Sequence, residues 1–372
     1  MIGSRNCVDG KIGGVYMSNL RVTRKYFVIV ISAFMLTAYP TVFAQAQNIL
    51  LVSNLSWSPD GSKLATSGQG FARIFLGGST TNWIDLPVGS AFVQNHAWSP
   101  SGGQITTASS DQIIRVWNMT TLGSIGSLIG QYSPTYPDGV LRDIKYSLDG
   151  SRIITAYMYG GGVGFWDPNT LQSIGAAGLS EANQIEINPN PSSNLVAIGH
   201  TEDGVALVAF TQPLTWYGVI GNRHIPTVDF KWSPDGSRLA ASYEDGTLYL
   251  WNASTQTALW SLQNSDTWYI DLSWSPDGAH LATTDGTGVI RVLSSTDGTI
   301  ERSTNSDTAY TIAYHPSGQM LAYALELDDV RIVDSQLNPI PLTATVTPTL
   351  IPSATQTAMP VAATPSPTAT PP

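Results

Sequence analysis

The chain has 372 residues, 42% of them hydrophobic and 12% charged, with 17 Lys+Arg against 27 Asp+Glu. The resulting net charge of −10 argues against any partner held by neutralising phosphates, so neither nucleic acid nor an anionic membrane surface is expected. One cysteine, Cys7, excludes an internal disulfide framework and any Cys–Cys metal spacing.

The N-terminal stretch reads as a leader. Arg21, Arg24 and Lys25 precede an apolar run from Tyr26 to Ala38, and "VFA" then sets Val42 and Ala44 at small-residue cleavage positions. That order is the signature of a secretory signal peptide, and the run is short for a membrane span. Residues 1–44 are therefore set apart from the fold, with Met17 a more natural start than Met1. An exported protein, extracellular or bound to the cell envelope, is expected. A membrane would be touched only through the leader, were it uncleaved. The low charged share, about half the usual one, suits an extracellular surface. Beyond residue 44 there are 12 Lys+Arg and 26 Asp+Glu, a net of −14.

From 45 to 340 the chain repeats itself. "LSWSPDGSKLATSG" begins at Leu55, "FKWSPDGSRLAAS" at Phe230 and "LSWSPDGAHLATT" at Leu272. Alignment on the turn residues Pro59, Pro100, Leu148, Pro189, Pro234, Pro276 and Pro316 gives spacings of 41, 48, 41, 45, 42 and 40. This period, with four short strands per unit, is that of propeller blades. Each unit opens with a strand ending in Trp57, Trp98, Tyr146, Ile187, Trp232, Trp274 or Tyr314. A turn such as "SPDG" follows, where Pro presets φ and Gly accepts the geometry at the end. A small-residue strand comes next, then a third strand such as "IIRVWN" or "LYLWN", then a more polar fourth. Alternation and turn punctuation recur without sustained helical periodicity. The reading is an all-β fold, a seven-bladed β-propeller of four-stranded antiparallel blades over 45–340. For the last blade, "IPLTA" is the candidate closing strand, confined by Pro339 and Pro341 to an edge.

Trp117-Asn118, Trp166-Asp167 and Trp251-Asn252 end third strands. With "WSPDG" beside them, they resemble the Trp-Asp dipeptide of the WD-repeat family, and the resemblance covers 45–340. It implies a scaffold that binds protein or peptide partners without catalysis. It also implies an Asp in the second hairpin turn linked to a His, a Ser or Thr, and the Trp. Asp111, Asp203, Asp245, Asp285 and Asp329 occupy that turn, and only the fifth unit offers a full set: His224, Ser242, Asp245 and Trp251.

Chemistry is sparse. The five histidines, His96, His200, His224, His280 and His315, pair with neither a nucleophile motif nor a metal-ligand spacing. No enzyme activity, cofactor or metal is expected. Three residues before each first-strand terminus stand Asn54, Asn95, Asp143, Gln184, Asp229, Asp271 and Thr311. All are polar, and period-two alternation turns them toward the channel. A solvated wall is the simplest role. The alternative is a propeller enzyme or a ligand- or cation-binding domain built on Asp143, Asp229 and Asp271.

Of 11 tryptophans, ten fall on strands of the repeat. Trp268 alone remains, beside the loop leading into the sixth unit. Tyr132 and Tyr136 precede the third unit and Tyr310 the seventh. These four aromatics are the candidate partner-binding residues, because exposed aromatics make interface anchors.

Residues 341–372 hold nine Thr, eight Pro and six Ala, with no charge. Such a composition favours extended conformations over a core and resembles the Thr/Pro spacers of exported bacterial proteins. It is read as a disordered tail or stalk, or as a spacer in an accessory or sensor protein cut short.

Overall fold

The structure, a computed structural model, describes residues 52–129, 140–158, 162–177, 182–200, 204–209, 215–221, 225–264, 267–306, 309–326 and 329–340. Among them there are only strands and turns.

The first unit comprises β1 (Asn54–Trp57), β2 (Lys63–Ser67), β3 (Gln69–Leu76) and the first half of β4 (Trp83–Trp98). The second half of β4 opens the second unit, followed by β5 (Gln104–Ser109), β6 (Ile113–Asn118) and β7 (Gly123–Ile129). The third holds β8 (Val140–Tyr146), β9 (Ile153–Met158), β10 (Gly162–Trp166) and β11 (Ser173–Ala177). The fourth holds β12 (Gln184–Ile187), β13 (Leu195–His200), β14 (Gly204–Ala209) and β15 (Thr215–Ile220). The fifth is β16 (Thr227–Trp232), β17 (Arg238–Tyr243), β18 (Thr247–Asn252) and β19 (Thr257–Gln263). The sixth is β20 (Tyr269–Trp274), β21 (His280–Asp285), β22 (Val289–Ser294) and β23 (Ile300–Asn305). The last contains β24 (Thr311–Tyr314), β25 (Met320–Glu326) and β26 (Asp329–Asp334). Every pairing between these strands is antiparallel and sequential.

Where the sequence suggests two strands between the first two units, a single one runs through. β4 pairs with β3 by its first half and with β5 by its second. Gly89 adopts φ 78° along it, a conformation glycine takes without a Cβ penalty. The chain thus passes from the outside of one unit to the inside of the next without leaving the ladder.

The repeated turn is a hydrogen-bonded brace. In the first copy Ser58 Oγ donates to Asp60 Oδ1 at 2.6 Å and accepts from Lys63 N at 2.9 Å, while Ser62 N donates to Asp60 Oδ1 at 3.0 Å. Those donors hold the Asp60 carboxyl down at about 2, with the Ser58 hydroxyl the largest cause. Gly61 sits at φ 72°. The same Ser-to-Asp brace recurs at Ser147–Asp149, Ser233–Asp235 and Ser275–Asp277.

The apolar core lies between units. Seven clusters are found among the described residues, one at each boundary. One of them joins the two ends of the repeat array: Leu55, Trp57 and Leu64 pack with Ala313, Ala322 and Ile332. The ring therefore closes by the burial that joins every other pair of neighbours. First-strand tryptophans reinforce it. Trp57 Nε1 donates to Ala313 O at 3.3 Å, Trp98 to Ser56 O at 3.3 Å, Trp232 to Glu186 O at 3.1 Å, and Trp274 to Lys231 O at 3.1 Å. Each acceptor immediately precedes the neighbouring unit's own first-strand terminus.

Just ahead of the candidate closing strand Pro339 bridges Val333 on β26, and the strand's first residue, Ile340, donates from N to Ile332 O at 3.5 Å; residues 341–344 lie outside the described residues.

Candidate functional site

The seven polar first-strand positions do come together, but their side chains turn sideways along the ring. Asn54 Nδ2 donates to Asn95 Oδ1, and Asn95 Nδ2 to Asp143 Oδ1. Asp143 Oδ2 accepts from Ile185 N at 2.8 Å. Gln184 Nε2 donates to Asp229 Oδ1 at 2.6 Å, and Asp229 Oδ2 accepts from Leu272 N at 2.8 Å. Asp271 Oδ2 accepts from Ile312 N at 3.0 Å and Thr311 Oγ1 at 2.5 Å. Asp143, Asp229, Asp271 and Thr311 are buried. At Asp143, Asp229 and Asp271 this corrects the expectation of a solvated wall, because backbone N–H groups of the next unit take the place of water, while Asn54, Asn95 and Gln184 stay half-buried. The partners lie forty or more residues away in sequence, beyond what alternation reveals. Carboxylates engaged in this way fasten units together, and no metal-holding cluster of three or more such groups occurs among the described residues.

Two residues further along, the same strands bring Lys145, Glu186 and Lys231 together. Lys145 Nζ lies 3.1 Å and Lys231 Nζ 2.7 Å from Glu186 Oε1. Lys231 Nζ is also 3.3 Å from Asp229 Oδ1. Burial opposes the charge on Lys231, but Asp229 and Glu186 outweigh it and hold the ammonium well above the ordinary lysine value. Burial likewise pushes Glu186 up, yet the two lysines bring it below the usual carboxylate range. Asp143 is the exception: burial wins over Lys145 and raises it. The tier lines a cavity of about 450 Å³ that opens on the Ser-Pro-Asp-Gly side of the ring, with Pro59 and Pro316 at its mouth. This cluster was missed in the sequence, although its signal is there: a charged residue at one register of three successive first strands.

His96 borders the same cavity. It is 2% exposed. Nε2 is 2.7 Å from Ser56 Oγ, and Nδ1 contacts Ser67 Oγ. Burial, then Lys145, lowers its pKa to about 3. Its two hydrogen bonds tie the second unit to the first.

Of the Trp-centred set implied for the fifth unit, the limb from Trp251 to Ser242 is not formed. Ser242 Oγ bonds with the Asp229 backbone. Trp251 Nε1 is buried with no acceptor among the described residues, and its ring stacks on Tyr249 at 5.1 Å. Asp245 Oδ1 accepts from Thr247 N at 3.0 Å; His224, like Asp203 and the side chain of His200, lies outside the described residues. Instead the Trp-to-Thr limb occurs in the second and third units, where Trp117 Nε1 donates to Thr107 Oγ1 at 3.3 Å and Trp166 Nε1 to Thr155 Oγ1 at 2.9 Å. The turn aspartates meet arginines: Asp111 meets Arg115 at 2.6 Å, Asp329 meets Arg331 at 3.0 Å, and Asp285 meets Arg291. A guanidinium on the third strand fills the place of an imidazole.

On the opposite side of the ring stand two of the four candidate aromatics. Trp268 and Tyr310 are both partly exposed. Their backbones are fixed: Gly286 N donates to Trp268 O at 3.2 Å, and Tyr310 N to Ala324 O at 3.0 Å. They lead into β20 and β24, neighbours in the ring. Tyr132 and Tyr136 lie outside the described residues. Among tryptophans assigned to strands, Trp83 and Trp260 pack: Arg73 lies over Trp83 at 4.6 Å, and Trp260 Nε1 donates to Ser295 O at 3.1 Å. Trp216 does not pack in this way and is 58% exposed on β15.

Comparison with known proteins gives two family matches. The profile of the anaphase-promoting complex subunit 4 WD40 domain matches residues 188–269, and that of the WD domain, G-beta repeat, matches residues 88–118. Among curated proteins, Protein HIR1 of Mycosarcoma maydis is 22% identical over 221 residues, covering 55% of this chain and 22% of that protein. COMPASS component SWD3 of Saccharomyces cerevisiae is 25% identical over 233 residues, covering 57% of this chain and 71% of that protein.

Proposed function

We propose that this chain, a WD-repeat protein, is an exported, non-catalytic scaffold that holds a protein or peptide partner on the loop side of its ring. The observation that carries the reading is the pair Trp268 and Tyr310, partly exposed on loops leading into adjoining units with their backbones bonded to the sheets. An aromatic whose backbone is already ordered loses little further freedom on binding, which is what makes it an effective anchor. Tyr132 and Tyr136 precede the first strand of the third unit in the sequence and lie outside the described residues. The relatives support a binding role. One is by name a COMPASS component, and one matching profile is named for an anaphase-promoting complex subunit.

Export rests on the basic cluster Arg21–Lys25, the apolar run to Ala38 and the small residues at 42 and 44. A catalytic role finds no support in the channel. Its carboxylates accept from backbone N–H groups, and its histidine is held neutral between two serines.

The test is capture from culture supernatant and envelope fractions with the wild-type chain and Trp268→Ala. Recovery of a defined partner by the wild type, and its loss with the variant, is expected. Equal recovery by both sinks the site, and finding the chain only in the cytosol sinks export.

A further inference from the structure

The outer strands share an irregularity. In β7, β11, β15 and β19 one residue is left opposite nothing, always at the same rung near the end of the third strand. Val116 and Trp117 pair with Gly126 and Ser124, leaving Ile125 over. By the same count Ile174, Tyr217 and Leu259 are the extra residues of their strands. A bulge re-aims the extra side chain and twists the edge. Here it exposes apolar ones: Ile125, Ile174, Tyr217 and Leu259 are 40–50% exposed, and Trp216 beside Tyr217 is more so.

The four strands, "GSIGSLI", "SIGAA", "TWYGVI" and "TALWSLQ", contain no charged residue. The outer strand of the sixth unit differs. "IERSTN" bulges at Glu301 and carries Arg302 beside it. Charges are the usual guard on an exposed edge, and four consecutive units lack them in a chain of net charge −10.

We infer that this uncharged arc is a self-association surface, and that its partner is the same arc of a second copy of this chain. Two copies this acidic repel each other wherever their charged faces meet. The arc is where they approach without that cost, and each copy offers the other a face as free of charge as its own. A two-fold axis at β15 sets Trp216 and Tyr217 against their own counterparts. This is the self-complementary arrangement of an isologous contact. The surface lies on the rim and is distinct from the loop side proposed for a partner.

Sedimentation velocity across a concentration series of the purified full chain tests it, alongside the double variant Trp216→Lys/Tyr217→Lys. Ile300→Lys, at an exposed position outside the arc, is the control. The wild type and the control are expected to pass from monomer to dimer with rising concentration. The double variant is expected to bind itself about 100-fold more weakly, because the two new lysines of each copy would face those of the other in the contact. Its melting curve should match the wild type's, since both side chains are exposed. A wild type that stays monomeric up to about 200 µM, well above the range expected of a specific contact, overturns the inference. So does a dimer that survives the double substitution, or a monomer whose Trp216 serves only to sediment with phosphatidylcholine vesicles.

Discussion

Trp57 and Ala313, 256 positions apart in the chain, share a hydrogen bond from the indole Nε1 to the carbonyl oxygen at 3.3 Å. Trp57 also meets His315 edge to face, with ring centroids 4.6 Å apart. The first and last units are thus joined by a residue belonging to the most conspicuous repeated phrase of the sequence.

Trp57→Phe should cost about 1 kcal/mol, since it keeps an aromatic ring but loses a net hydrogen bond. Trp57→Ala should cost about 3–5 kcal/mol by opening a cavity in a packed boundary. Urea unfolding measures both. If Trp57→Ala matches an exposed-surface substitution in midpoint, the seam is not held there.

Two glycines separate strain from crowding. Gly61 and Gly77 have φ 72° and 64°. A Cβ on Gly61 would lie 2.3 Å from His315 Nε2, whereas one on Gly77 would meet nothing within 4 Å. Gly77→Ala should cost about 1 kcal/mol for the backbone alone. Gly61→Ala should cost more, because the imidazole that bonds Gly61 O at 3.0 Å must also move. Thermal melts of the pair decide it, and equal losses would mean that His315 gives way freely.

His96 predicts an acid limb. Its pKa falls from 6.5 to about 3 in the folded chain, so the unfolded chain takes up the proton first. Its contribution is therefore complete above about 6.5 and is lost progressively as pH drops toward 3. His96→Leu removes that dependence but strands Ser56 and Ser67, for about 1–3 kcal/mol at pH 7. Melting temperatures from pH 7 to pH 4 should fall more steeply for the wild type than for the variant. Parallel slopes would place the imidazole in water.

Glu186 is the anion between two ammonium groups. Glu186→Gln leaves Lys145 and Lys231 facing each other and should cost about 3 kcal/mol, the low end for a broken buried pair, since both lysines keep some contact with water. Added salt should restore part of that loss by screening. A salt-independent difference would argue that packing, not charge, is what the substitution disturbs.

Much of the architecture was legible because it is local. Ser58, Pro59, Asp60 and Gly61 determine their turn among themselves, and repetition multiplied that one inference along the chain. The polar positions Asn54 through Thr311 were equally visible as a set. Their direction was not, because Asp143 finds its donor on Ile185 and Asp229 finds its donor on Leu272, contacts between units that no period within a unit encodes. The same limit hid the bulges. Nothing in "TWYGVI" announces that Trp216, set aside as a strand residue, stands out from the rim, since its exposure depends on a register shift between Leu207 and Val208. The arginine partners of Asp111 and Asp285 were present in the text of the third strands, but the family resemblance directed attention to histidine instead.

The boundary between the last unit and the first carries two devices: an apolar cluster spanning it, as at every interior boundary, and an indole reaching back to a carbonyl, as at the three interior boundaries whose later first strand ends in Trp. The boundary between the fifth and sixth units uses both devices as well, and adds the Asp229 carboxylate on Leu272 N. The order in which the units are translated is therefore incidental to the order in which they sit. A rotated gene, linked through the present seam and reopened at the Gly77-Gly78 turn, keeps every one of these contacts while changing which unit leaves the ribosome first.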